Sequence, residues 1–127
     1  MKEKNETLPS LLVVDDSVFL RKRLRQSLRD ENYELVEADN GLSALEALDH
    51  RDFDCILTDL VMPCMDGFQL LAEIQKRQIA APVVVITADV QQSTRDRCKQ
   101  LGAAALLQKP INPEALRALL SGMVGGR

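Results

Sequence analysis

At 127 residues and 14.1 kDa, the chain is long enough to bury one core without metal or disulfide staples and too short for two independent domains. Hydrophobic residues at 46% and charged ones at 28% are the proportions of a soluble globular protein, and a net charge of -3 advertises no nucleic-acid surface. Three cysteines, Cys55, Cys64 and Cys98, form no CxxC pair and have no nearby His, so they read as reduced thiols of a cytoplasmic protein rather than as zinc ligands.

The opening MKEKNETLPS is charged and polar, without the apolar core of a signal peptide, and residues 1–9 read as an N-terminal extension. Leu11–Val14 is an apolar, β-rich run that stops at Asp15 and Asp16, after which Leu20, Leu24 and Leu28 recur at helical spacing. The basic run on that helix, Arg21, Lys22, Arg23, Arg25 and Arg29, reads as a solvated face. Leu35–Ala38 is a second short strand; Asn40-Gly41 caps a helix whose expected apolar face is Leu42, Leu45 and Leu48. Cys55–Thr58 is the third strand, followed past Pro63 and Gly67 by Phe68, Leu71 and Ile74 on a third helix.

Val83–Ile86, entirely β-branched, is the clearest strand. A polar helix over 91–101 and a weaker strand over 103–107 follow, ending at Gln108-Lys109-Pro110. Asn112-Pro113 supplies an N-cap and a proline at the first helical position, and Leu116, Leu119 and Leu120 mark the last apolar face. The longest uncharged apolar stretch, Ile79–Ala88, falls far short of the roughly 20 residues of a membrane span. Residues 123–127 form a Gly-containing tail, leaving residues 10–122 as the folded domain.

Five strands alternating with five helices, with strand cores that are continuous apolar runs, predict an α/β protein: a (βα)5 doubly wound parallel sheet between helical layers, strand order 2-1-3-4-5. In such a sheet, ligands bind outside the carboxyl ends of the strands. Those ends carry Asp15 and Asp16 (strand 1), Asp59 (strand 3), Thr87 (strand 4) and Lys109 (strand 5). Taken singly, each has a plain alternative: Asp16 or Ser17 and Thr87 as helix caps, Asp59 as a turn residue, Lys109 as a surface lysine. Taken together they set three carboxylates, a hydroxyl and an ammonium on one rim. Clustered carboxylates call for a divalent cation, and an all-oxygen site suits Mg²⁺ beside a phosphoryl group, with an Asp able to act as nucleophile.

The segments VVDDS, LTDLVMPCMDG, VITA and KP, in this order and spacing, resemble a response-regulator receiver domain, the CheY-like family of flavodoxin-like three-layer sandwiches, over about residues 10–122. The resemblance implies that Asp59 accepts a phosphoryl group from phosphohistidine on a sensor histidine kinase or histidine phosphotransfer protein. It implies that Asp15, Asp16, Asp59 and the Val61 backbone carbonyl hold Mg²⁺, that Lys109 contacts the phosphoryl group, and that Thr87 is the switch hydroxyl. It implies a cis Lys109-Pro110 bond, a protein partner reading residues 91–122, no direct binding of nucleic acid or membrane, and a monomer or phosphorylation-dependent dimer. Self-phosphorylation and autodephosphorylation are the only catalysis it implies.

Two features are this chain's own. The position three before the lysine, aromatic in the family, is Leu106, which has no ring to swing inward; Val61 and Asp89 occupy two positions that the resemblance implies influence how long the phosphate lasts. Rival readings are a receiver-fold binding module that works without phosphorylation, an aspartate-nucleophile phosphatase, and, from fold alone, a nucleotide or flavin site, for which no glycine-rich phosphate loop follows strand 1.

Overall fold

The computed structural model describes residues 8–124. Most of the N-terminal extension (residues 1–7) and the end of the tail (125–127) lie outside the described residues. The element order is β1 (Ser10–Val14), α1 (Val18–Ser27), β2 (Glu34–Ala38), α2 (Gly41–His50), β3 (Cys55–Thr58), α3 (Gly67–Lys76), β4 (Val83–Thr87), α4 (Gln92–Gln100), β5 (Ala105–Gln108) and α5 (Pro113–Val124). All strand pairs are parallel, and the sheet order is β2-β1-β3-β4-β5, as the alternation predicts.

The absence of period-2 polarity in the strands has its explanation in two cores. Leu12, Val14, Ile56, Val83 and Val85 point into one with Leu45, Leu70, Leu71, Ile74 and Cys98 of α2, α3 and α4. Leu11, Val13, Cys55, Leu57, Val84 and Ile86 point into the other with Leu24 of α1, Leu28 at the C-cap of that helix, and Leu116 and Leu120 of α5. Successive side chains of a strand face opposite layers, and both layers here are apolar. β1, β3 and β4 are buried throughout, whereas the edge strands β2 and β5 are half-exposed.

Several boundaries differ from expectation. β5 runs over Ala105–Gln108 instead of 103–107, because Ala103 belongs to the loop closing α4, where its N–H reaches the Cys98 carbonyl at 3.0 Å. α4 begins at Gln92, and α5 continues to Val124, which is buried, so the helix reaches past residue 122 into the expected tail. Leu42 is 53% exposed; Gly41, Ala44 and Leu45 make the buried face of α2 instead. The basic run of α1 is not wholly solvated, since Arg21 and Arg25 both pair with Glu37 on β2.

Two glycines fix how the loops meet. A Cβ on Gly67 would lie 2.3 Å from the Asp59 carbonyl oxygen and 2.7 Å from the Leu60 Cα, so only glycine lets α3 start against the end of β3. A Cβ on Gly41 would lie 2.7 Å from the Met65 carbonyl, which brings the start of α2 equally close to the β3–α3 loop.

Candidate functional site

Strand register builds the site. Val14 pairs with Thr58, so the next residues, Asp15 and Asp59, leave adjacent strands side by side, and the Asp59 N–H donates to the Val14 carbonyl at 3.0 Å. Thr58 pairs with Val85, placing Thr87 one residue further along β4 than Asp59 is along β3. Thr87 pairs with Gln108, and the Lys109 N–H donates to the Thr87 carbonyl at 2.9 Å, bringing Lys109 to the same edge. The Lys109-Pro110 bond is cis.

Carboxylate oxygens of Asp15, Asp16 and Asp59 lie within 4.8 Å of one another. Asp15 is 4% exposed and Asp59 9%, while Asp16 is exposed. Each buried carboxylate is held by the backbone that follows it: Asp15 Oδ1 accepts the Ser17 N–H at 2.9 Å, and Asp59 Oδ1 accepts the Leu60 N–H at 2.6 Å. The Lys109 ammonium donates to Asp59 Oδ2 at 2.9 Å and to Asp15 Oδ2 at 3.3 Å. Burial pushes the Asp15 carboxyl above its ordinary value, against the opposing pull of the Ser17 amide and the Lys109 charge. Burial works against the Lys109 ammonium too, but the hydrogen bond to Asp59 and the charges of Asp59 and Asp15 outweigh it and hold its pKa above the ordinary lysine value. One ammonium thus faces two buried carboxylates and a third exposed one, an excess of negative charge on an oxygen-only donor set that fits a hard divalent cation.

Ser17, not Asp16, caps α1, its hydroxyl accepting the Leu20 N–H at 3.1 Å. Asp16 is left for the cluster. Val61 is 78% exposed on the loop after Asp59. Thr87 is buried, and its hydroxyl accepts the Asp89 N–H at 3.1 Å while keeping its own proton to donate. Asp89 is exposed, and its carboxylate accepts the Gln91 N–H at 3.0 Å and the Thr94 hydroxyl at 2.8 Å, bonds that lower its pKa. Leu106 is half-buried against the α2–α3–α4 layer, beside its β4 partner Val85.

Three contributors escape a reading of the sequence. Thr94 lies in a polar helix with nothing periodic to mark it, yet it is 8% exposed and bonded to Asp89. Arg21, hidden in the basic run, donates to the Asp15 carbonyl at 2.5 Å and thereby steadies the acidic turn. The Thr58 hydroxyl donates to the Asp59 carbonyl at 2.9 Å, its hydrophilic character masked by an apolar strand.

The family description for the response regulator receiver domain matches residues 11–121. The transcriptional regulatory protein GlrR of Escherichia coli is 40% identical over 106 residues, 84% of this chain but 24% of that protein. The chain spans no more than 56% of the first curated relatives it matches. Among solved structures, chemotaxis protein CheY4 of Vibrio cholerae superposes with a TM-score of 0.86 at 30% identity, covering 92% of this chain and 99% of that one. The receiver domain of the sensor histidine kinase PA1611 from Pseudomonas aeruginosa, with a magnesium ion coordinated in its active-site cleft, superposes with a TM-score of 0.83 at 26% identity, covering 94% and 99%. With the (βα)5 fold and the acidic pocket already in place, these matches identify the chain as a member of the response regulator receiver domain family of two-component signalling.

Proposed function

We propose that this receiver domain is a phosphorylation-operated switch in which Asp59 takes a phosphoryl group from a phosphohistidine of a sensor histidine kinase or a histidine phosphotransfer protein. The observation that carries the proposal is the setting of the Asp59 carboxylate: at the end of a buried central strand, fixed by the Leu60 N–H, paired with Lys109, and beside Asp15 and Asp16. An Asp59 oxygen attacks phosphorus while the phosphorus–nitrogen bond of the donor breaks, its electron pair remaining on the imidazole nitrogen. The product on Asp59 is an acyl phosphate, later hydrolysed to inorganic phosphate. Fixing the nucleophile by backbone and by Lys109 supplies positioning, and the ammonium meets the charge of the incoming phosphoryl oxygens.

Asp15, Asp16, Asp59 and the Val61 carbonyl would hold Mg²⁺, which offsets negative charge on the transferring group. The Thr87 hydroxyl donates to a phosphoryl oxygen, and the phosphorylated domain signals to a protein partner through residues 91–122. The chemistry is confined to the domain's own aspartate, so the protein is a switch and not a turnover enzyme, and its setting is the cytoplasm. Among the described residues, no helix is long and apolar enough to cross a membrane. The test is intact mass after incubation with acetyl phosphate and Mg²⁺. An increase of one phosphoryl group that is lost in Asp59→Asn supports the proposal; no increase, or an undiminished one in the variant, refutes it.

A further inference from the structure

We propose that Asp89 and Thr94 are the positioning pair that couples the Thr87 hydroxyl to helix α4, so that the switch operates without an aromatic ring at position 106; this rests on the phosphoacceptor reading of Asp59. Three hydrogen bonds run in series from the sheet to the helix. The buried Thr87 hydroxyl accepts the Asp89 N–H at 3.1 Å. The Asp89 carboxylate then accepts the Gln91 N–H at 3.0 Å through one oxygen and the Thr94 hydroxyl at 2.8 Å through the other. Gln91 stands at the N-cap of α4 but makes no side-chain cap; Asp89, two residues upstream, instead holds the Gln91 N–H and the Thr94 side chain at the entry of the helix. The chain of contacts ends on Thr94, in the first turn of α4 and 8% exposed.

The helix it reaches is lightly anchored. Only Thr94 and Cys98, one turn apart, are buried in α4, and the Arg97 guanidinium lies over the Phe68 ring of α3 at 4.0 Å. Between α4 and β5 lies a cavity of about 260 Å³, lined by Arg95, Cys98, Lys99, Ala103–Ala105 and Leu106. The small alanines and the leucine leave room that a ring would fill. When the Thr87 hydroxyl turns to donate to a phosphoryl oxygen on Asp59, its lone pair leaves the line of the Asp89 N–H. With that bond to the sheet broken, Asp89 and the first turn of α4 that its carboxylate grips are released together, and the helix has space beside Leu106 in which to shift. The element being biased is α4, and the bias arrives through hydrogen bonds rather than through a rotating ring.

The experiment compares wild type, Thr94→Val and Thr94→Ser with and without Mg²⁺ and beryllofluoride, a phosphoryl mimic. Fluorine NMR reads occupancy of the acidic site, and amide NMR reads residues 92–100. Thr94→Val keeps the shape and removes the hydroxyl donor; Thr94→Ser keeps the donor. In the wild type, beryllofluoride binds and the α4 amides shift. In Thr94→Val it still binds, but those shifts fall by more than half, and Thr94→Ser restores them. Should Thr94→Val lose its packing, Asp89→Ala, which removes the acceptor from an exposed loop, gives the same loss of α4 response at full occupancy. Undiminished α4 shifts in occupied Thr94→Val and Asp89→Ala overturn the coupling and leave the phosphoacceptor reading standing. Failure of the wild type to take up beryllofluoride overturns that reading and the coupling with it.

Discussion

Replacing Lys109 with methionine removes the one ammonium between two buried carboxylates. In the wild type its Nζ lies 2.9 Å from Asp59 and 3.3 Å from Asp15, with side-chain exposures of 16%, 11% and 6% for the three residues. Two unit charges at the 4.8 Å limit of the cluster repel by about 3.5 kcal/mol at an effective dielectric of about 20. Removing one member of a buried ion group costs about 3–5 kcal/mol, and these groups, not fully dry, belong near the lower end. For a domain whose whole stability is about 5–15 kcal/mol, that is a large fraction. In urea with EDTA at neutral pH, the midpoint of Lys109→Met should fall by about 1.5 M if the m-value is near 2 kcal/mol/M.

The same reasoning fixes two dependences. Asp15 already titrates above its ordinary value in the fold, so its protonated form favours folding; its contribution is greatest below the ordinary carboxylate pKa and is lost as pH rises through the raised one. Without Lys109 pulling it down, the Asp15 pKa climbs further, and the deficit of the variant should shrink on mild acidification. Saturating Mg²⁺ should shrink it as well, because the variant's site, left with one cation fewer, binds the ion more tightly in the folded state. Wild-type resistance to urea in EDTA, or a deficit indifferent to both pH and Mg²⁺, would refute this account of the site's electrostatics.

Gly67→Ala should destabilise by at least about 1–3 kcal/mol, because its Cβ meets backbone that has no side-chain rotamer to yield, and thermal melting reads it. Gly122→Ala, in α5 with nothing within 4 Å of the added methyl, should stabilise by about 0.5–1 kcal/mol in the same assay. Asp66→Ala breaks a capping box at the start of α3 and should cost about 1 kcal/mol in urea unfolding. Of the three thiols, only exposed Cys64 should react promptly with a thiol reagent in the native state; Cys55 is buried, which pushes its thiol up to about 12, and Cys98 is buried with its pKa raised. Release of all three equivalents without denaturant would contradict the packing.

Sheet order and site edge were legible because the strands are short apolar runs that each end on a polar residue. A parallel register then brings the ends together: Asp15 follows Val14, Asp59 follows Thr58, and those two partners are adjacent. Less legible was everything set by tertiary contact. Leu42 sits at helical spacing with Leu45, yet α2 begins against the Met65 backbone and its first turn buries Gly41 in place of the leucine. The expected start of β5 falls too early because Ala103 has the same apolar character as the strand, and only its hydrogen bond to the Cys98 carbonyl marks it as the loop closing α4. The grip of the exposed Asp89 on Gln91 and Thr94 follows from loop geometry that no periodicity records.

The central claim, that Asp59 is the nucleophile of this pocket, is tested most directly by trapping its product. Protein treated with acetyl phosphate and Mg²⁺ is reduced with borohydride, which converts an acyl phosphate on aspartate to homoserine, and is then digested and mapped by peptide mass spectrometry. The account predicts the loss of one side-chain oxygen at residue 59, with Asp15 and Asp16 unaltered and no product when EDTA replaces Mg²⁺. Reduction at Asp15 or Asp16, or an unmodified Asp59 in protein that has gained phosphate, would contradict it.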